Sequence, residues 1–413
     1  MTIAGIDCFF GRANAMINLA PPEHIAQVLR HLADNGYRAY LVGGCVRDAV
    51  MGRHVNDWDV ATSATPVDVA RLFPKTFLTG EKFGTVTVLT PDDQVEVTTF
   101  RTEGAYRDGR RPENVEFVSS LDEDLGRRDF TINAMAVSPD GELVDPFGGI
   151  RDIGGRVIRC VGGPNTRFGE DSLRMFRAFR FSAQLGFDIE QGTLLAIFAN
   201  ADRAKLISAE RVRVELEKTL MSNRPEAAGE MVKIGLLGRY MDKIGKNPGN
   251  LERIARLPVE QGLRWCAFCA VLLREGFISS ATEFMREMRL DGKTTRTCSH
   301  ALDIPGFPGD SIGIKMLFAQ YGVDAVRCAA GAHDTLEGGS ALKRVGELIA
   351  CGECFSLNKL AVTGCDLIAI GHPPGRELGL SLERLLSHVI EHPGDNSREA
   401  LLGIAGQWLT VTG

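Results

Sequence analysis

The sequence predicts an α+β fold, with a small mixed sheet in the first part of the chain and helices alone in the rest. Three observations lead there. Short β-type texts alternate with helical ones between Ala39 and Arg101, Gly and Pro turns punctuate them, and from about Arg167 onward the apolar residues recur only at helical spacing.

In chain order, Pro21-Pro22 followed by Ile25, Val28, Leu29 and Leu32 predicts a helix that ends at Asn35-Gly36. Ala39-Tyr40-Leu41-Val42 predicts a strand running into Gly43-Gly44, then a short helix through Val46 to Met51 and a second strand around Asp57 to Val60. Pro66 to Phe73 reads as a helix capped by Thr65. Gly84 to Leu89 and Gln94 to Arg101 form a hairpin around Pro91-Asp92-Asp93. Thr102 to Glu113, polar and rich in Arg and Gly, follows neither apolar period and is expected to be a mobile loop. Phe130 to Met135 is expected to be a buried helix. Helices are then expected over Leu173 to Ala183, Ser208 to Met221 and Glu226 to Leu237, with joints at Met241 to Asn250 and Ile304 to Ile312.

A chain of 413 residues is long enough for two or three structural units, each with its own core. Its formal charge of −6 excludes a uniformly basic coat, so any nucleic-acid contact has to come from a local cationic surface. Arginines do cluster, at Arg107, Arg110, Arg111, Arg127 and Arg128 and again at Arg174, Arg177 and Arg180. No apolar run approaches the roughly 20 residues of a membrane span and the first residues lack a signal-peptide pattern, so a cytoplasmic protein is expected. Ten cysteines, several within apolar helical text, read as reduced thiols. The Cys266/Cys269 and Cys351/Cys354 pairs lack a nearby His at zinc-finger spacing.

The strongest constellation is Leu41-Val42-Gly43-Gly44-Cys45-Val46-Arg47-Asp48, closely followed by Asn56-Asp57-Trp58-Asp59. A strand feeding a Gly-Gly turn lets backbone N–H groups at Gly44 approach a phosphate, and Arg47 one helical turn on can hold the same anion. Asp57 and Asp59, two apart on a strand, project from one face and can share Mg²⁺ between their oxygens. An isolated D-x-D is more often a pair of solvated acids; the upstream Gly-Gly and Arg favour the metal reading here. Glu96, on a strand beside that of Asp57, would be a further acid nearby.

Asp171, Arg174, Arg177 and Arg180 recur every three residues along one helix face. A carboxylate beside a guanidinium offers an acceptor next to donors, which complements cytosine and adenine; guanine and uracil present the reverse order. Arg128-Asp129 places a cation suited to phosphate beside an acid suited to a ribose hydroxyl.

These texts resemble the bacterial tRNA nucleotidyltransferase and poly(A) polymerase family, the second class of polymerase-β-like nucleotidyltransferases. The resemblance continues in order through Gly80 to Val88, Glu96 to Arg101, Arg127 to Ala136, Asp145 to Gly149, Glu170 to Arg174 and Ile207 to Arg211. It implies a polymerase-β-like head over residues 1–150, a helical neck over 151–240 that recognises the base, and a body and tail over 241–413 that bind tRNA. Asp145 to Gly149 is treated by such proteins as a hinge. The resemblance gives Arg128 to the nucleotide, Asp129 to ribose preference, Asp171 and Arg174 to the base, and Arg177 and Arg180 to the same pocket.

The activity implied is template-independent, Mg²⁺-dependent addition of CMP and AMP from CTP and ATP to the 3′ end of tRNA. A poly(A) polymerase, an enzyme adding only CC or only A, and a non-catalytic RNA-binding protein remain as alternatives. Gly80 to Thr85 and the absence of a strongly basic C-terminal tail favour CCA addition over poly(A) synthesis, and retention of Asp57, Asp59, Arg128 and Arg174 favours catalysis over binding alone.

Overall fold

The computed structural model describes residues 16–17, 19–80, 84–103 and 115–411. They form two compact units, one of residues 1–219 and 234–239 and the other of 220–233 and 240–413.

The first unit opens with α1 (Glu23–Asp34), which buries Ile25, Val28, Leu29 and Leu32. It continues through β1 (Ala39–Val42), α2 (Gly44–Val50), β2 (Asp59–Thr62), α3 (Pro66–Leu72), β3 (Thr76–Gly80), β4 (Thr85–Leu89) and β5 (Gln94–Thr99). The cap of α3 is the expected one: Thr65 and Asp68 exchange side-chain and backbone hydrogen bonds at its first turn. A small two-stranded ladder, β6 (Arg101–Glu103) with β7 (Val115–Phe117), and α4 (Leu121–Gly126) come next. Of the expected loop over Thr102 to Glu113, Thr102 and Glu103 belong to β6; residues 104–113, with Arg107, Arg110 and Arg111, lie outside the described residues.

The main sheet is mixed and seven-stranded, in the order β3-β4-β5-β2-β1-β8-β9, with β8 at Ala136–Val137 and β9 at Leu143–Val144. Only β2 and β5 within it run parallel, and their register sets Asp59 opposite Glu96. Alternation puts Val95, Val97 and Thr99 of β5 inside and leaves Glu96 exposed. A core of Val42, Ala61, Phe100, Leu125, Ala134 and Ala136 lies against this sheet.

Within residues 1–150 two expectations needed correction. Phe130 to Met135 is buried, but it is a single 3₁₀ turn at Thr131–Asn133 and not a helix. Ala136 and Val137 pair with Val42 and Leu41, which recruits the chain into the sheet before a helix can extend. Strand β2 begins at Asp59, so Asp57 stands ahead of it. The physical reason lies in β1: its ladder ends at Val42 opposite Asp59, and Gly43, with φ +78°, turns the chain away into α2, leaving the residues before Asp59 no strand partner there.

Beyond the sheet, α5 (Gly149–Gly154) starts where Asp145 accepts hydrogen bonds from the Gly149 and Ile150 amides at 2.7 and 2.9 Å. Then follow β10 (Val157–Ile158), α6 (Pro164–Glu170), α7 (Leu173–Leu185), β11 (Asp188–Ile189), α8 (Gln191–Asn200) and α9 (Ala209–Leu220). The parallel pairing of β10 and β11 is a short strand contact inside the region expected to be wholly helical.

The second unit is helical. It includes α10 (Ala227–Ile234) up to Lys233, then α11 (Gln261–Arg274), α12 (Ala281–Glu287), α13 (Gly292–Leu302), α14 (Ser311–Tyr321), α15 (Val323–Glu337), α16 (Ala341–Ala350), α17 (Gly364–Ala369), α18 (Arg376–Glu391) and α19 (Arg398–Val411). Cys266 and Cys269 are fully buried on α11, where burial pushes the Cys269 thiol up to about 12. Arg264, also buried there, donates to the carbonyls of Leu220, Ser222 and Leu257, so its guanidinium is satisfied by backbone oxygen. No helix among the described residues is long and apolar enough to cross a membrane.

Candidate active site

A cleft of about 600 Å³ opens in the first unit. Its walls bring together Gly44 and Arg47 of the Gly-Gly turn and α2, Asp59 of β2, Arg128, and Asp171, Arg174, Arg177 and Arg180 around and on α7. Asp57 is exposed and stands outside the lining. Among the described residues the lining carries eight arginines and three aspartates, so a chain of net charge −6 gathers positive charge where a polyphosphate could sit.

One wall is acidic. Partial desolvation raises the Asp59 carboxyl above the ordinary aspartate range; Arg128 opposes the rise, and the charges of Glu96 and Asp57 add to it. Gly43 permits this crowding. A Cβ there would stand 2.9 Å from Arg128 Nη1 and 3.7 Å from Asp59 Oδ2, so a side chain would displace the guanidinium that faces the acids. Among the described residues no group of three or more His, Cys, Asp or Glu side chains forms a metal cage. Asp59, set opposite Glu96, and Asp57, whose charge is felt at Asp59, nevertheless offer hard oxygen donors that fit Mg²⁺, because that ion normally takes part of its shell from water and substrate phosphates.

Much of the remaining lining is made of arginines whose forks are held by acids. Arg47 donates through Nε and Nη2 to both oxygens of Asp48 at 2.9 and 2.8 Å, and through Nη1 to Asn133 Oδ1 at 2.7 Å. Asn133 in turn donates to Asp129 Oδ1 at 3.2 Å, and Asp129 Oδ2 accepts from Arg177 Nε at 2.6 Å. Burial alone would raise the Asp129 carboxyl, but the charges of Arg177 and Arg174 outweigh it and hold it down at about 2. Arg180 forms an ion pair with Glu215 of α9 at 2.8 Å. Arg128 reaches Asp124 at 3.3 Å.

At the position expected to read the base, the structure adds a partner. Asp171 Oδ2 accepts from Arg211 Nη2 at 2.7 Å and Oδ1 from the Leu173 amide at 3.0 Å, while Arg174 donates to Glu170 at 2.6 Å and to the Arg127 carbonyl at 2.9 Å. Asp171 and Arg174 thus share the cleft wall, each anchored from behind. Arg211, Asn133, Phe181, Thr85 and Thr98 line the cleft as well and were not picked out from sequence as site residues. Period-2 alternation along β5 points to Thr98, which meets Thr85 Oγ1 at 3.1 Å. Arg211 lies forty positions from Asp171, a distance no local pattern spans.

Residues 39–159 match the family described as Poly A polymerase head domain, and residues 186–240 match the one described as Probable RNA and SrmB-binding site of polymerase A. The CCA-adding enzyme of Geobacillus sp. (strain WCH70) is 38% identical over 391 residues, covering 92% of this chain and 96% of the relative. The chain belongs to the CCA-adding enzyme family. The CCA-adding enzyme of Enterococcus faecalis (strain ATCC 700802 / V583) is 36% identical over 93% of this chain and 95% of its own. The crystal structure of the Bacillus stearothermophilus CCA-adding enzyme in complex with CTP superimposes with a TM-score of 0.77 at 32% identity, covering 95% of this chain and 99% of that one. CCA-adding enzymes are nucleotidyltransferases that generally use divalent metal ions. The similarity covers nearly the whole chain, its C-terminal half included.

Proposed function

We propose that this chain adds CCA to the 3′ end of tRNA without a template, taking CMP and AMP units from CTP and ATP and releasing pyrophosphate. The observation that carries this reading is one cleft with an acidic wall at Asp59 and an arginine wall ending in Asp171 and Arg174, in a chain of the CCA-adding family.

In this mechanism the terminal tRNA hydroxyl attacks the α-phosphate in line. Asp57 and Asp59 would hold Mg²⁺, which when bound would acidify the attacking hydroxyl and neutralise charge on the leaving pyrophosphate. Arg128 faces the same phosphates, and its tie to Asp124 fixes the guanidinium before substrate arrives. Gly44 offers backbone to the phosphates at the start of α2. Arg47 has its Nε and one hydrogen on each terminal nitrogen committed to Asp48 and Asn133, leaving a second hydrogen on each terminal nitrogen for an anion. Asp129 sits where a ribose hydroxyl would be read, Asp171 accepts from the exocyclic amine of C or A, and Arg174 donates to the adjacent ring nitrogen, with Arg177 and Arg180 completing the nucleotide seat. Residues 1–150 serve as catalytic head, 151–240 as base-reading neck and 241–413 as the tRNA-binding body and tail. In this reading the chain acts in the cytoplasm.

The test is incubation of tRNAs ending before CCA, after C and after CC, each with labelled CTP and ATP separately and together. Extension by three, two and one nucleotides, stopping at CCA, supports the reading. Repeated A addition identifies a poly(A) polymerase, a stop after CC or a lone A identifies a partial enzyme, and no extension leaves a binding protein.

A further inference from the structure

The nucleotide seat contains an aromatic ring that neither motif nor charge pattern picks out. Phe181, near the C-terminal end of α7, lines the cleft and is 6% exposed. Three guanidinium carbons surround its ring, those of Arg180 at 4.1 Å, Arg47 at 5.3 Å and Arg177 at 5.3 Å from the centroid. The ring is itself fixed edge-on against Phe130, with centroids 5.8 Å apart and planes at 82°.

These three cations come from two elements, α2 and α7, and their acids come from three places: Asp48 on α2, Asp129 after α4 and Glu215 on α9. Gathering three like charges around one point costs energy, although each is paired with a carboxylate. The electron-rich face of an aromatic ring is the apolar group that attracts a guanidinium instead of merely tolerating it. A leucine or methionine of similar bulk would fill the space and leave the mutual repulsion to be opposed by the carboxylates alone.

We propose that Phe181 is a positioning residue of the nucleotide pocket: its ring gathers Arg47, Arg177 and Arg180 into the arrangement that receives the triphosphate and base. The proposal rests on the reading of the cleft as a CTP and ATP site. Phe181 transfers no proton and reads no base edge; it sets where three donors stand.

The test replaces Phe181 with mono-, di- and trifluorophenylalanine in the full chain, which drains the ring's negative face while nearly keeping its shape, together with Phe181→Met. Equilibrium binding of CTP and ATP is measured on each protein, alongside thermal melting and steady-state kcat and KM. The expected result is a stepwise rise in Kd with each fluorine, reaching about fivefold or more at three, with KM following Kd, kcat changing less and the melting temperature held. A Kd independent of fluorine content overturns the proposal and reduces Phe181 to a packing residue. Extension of tRNA by the parent protein is scored separately. Graded binding without any extension would keep the ring's role and remove the proposed reaction, extension with flat binding would do the reverse, and a parent protein that binds neither nucleotide removes both. If Phe181→Met fails to fold, the fluorine series alone decides.

Discussion

Arg211 Nη2 donates to Asp171 Oδ2 at 2.7 Å, across forty residues of sequence and from α9 to the N-terminal end of α7. The other carboxylate oxygen accepts from the Leu173 amide, so the plane of the acid is set on both sides. A carboxylate that reads an amino group needs that fixed plane more than it needs charge. Replacing Arg211 with Gln keeps one donor but loses the ion pair and its rigidity. We expect Arg211→Gln to lower kcat/KM for CTP and ATP together by about tenfold, on the order of 1–2 kcal/mol, with tRNA affinity retained. Parallel steady-state kinetics and tRNA binding check this.

Asp59 lies on the cleft wall and Asp57 just before the strand, with its charge felt at Asp59. Asp57→Ala and Asp59→Ala should each abolish incorporation while tRNA binding stays near the parent value, because in the proposed reaction the acids act at the transferring phosphate. Chelation of divalent ions should do the same to the parent, and added Mg²⁺ should reverse it. Turnover of either variant at a rate comparable to the parent would remove that residue from the metal site.

Asp129 gives a pH signature. Its carboxyl is held at about 2 in the folded chain against an ordinary value of 3.8, so its ionised form stabilises the fold. That stabilisation, about 2 kcal/mol, is fully present above pH 3.8 and is lost as pH falls toward 2. Arg177 is the leading cation in this shift, so Arg177→Gln should move acid unfolding to higher pH while leaving melting near neutral pH less affected than a deletion of Asp129. Acid titration followed by circular dichroism measures it; coincident acid midpoints for parent and variant would mean that Arg177 does not hold the acid.

Much of the head was legible because its signals are local. Gly43-Gly44 after an apolar strand, the Thr65 cap and the Pro91-Asp92-Asp93 turn each fix geometry within a few residues, and the sheet follows from them. What escaped depended on partners distant in sequence. Where β2 starts is decided by where β1 ends, which displaced Asp57 from the strand. Phe130 to Met135 has the composition of a buried helix, yet β1 claims Ala136 and Val137 as sheet partners. The arginine stripe on α7 was visible at helical spacing, but the acids that hold it, Asp129 and Glu215, come from other segments, as does Arg211. The spacing shows where the donors stand and not what clamps them.

In the proposed reaction side chains choose C and A with no template strand. The most direct test of that choice is kcat/KM for CTP, ATP, UTP and GTP on tRNA lacking CCA, in the parent and in Asp171→Ala. Losing the acceptor should cost CTP and ATP about 1–3 kcal/mol of transition-state stabilisation each and shrink their advantage over UTP and GTP. Ratios among the four nucleotides that stay as they are in the parent would contradict the claim and return Asp171 to the role of an anchor for Arg211.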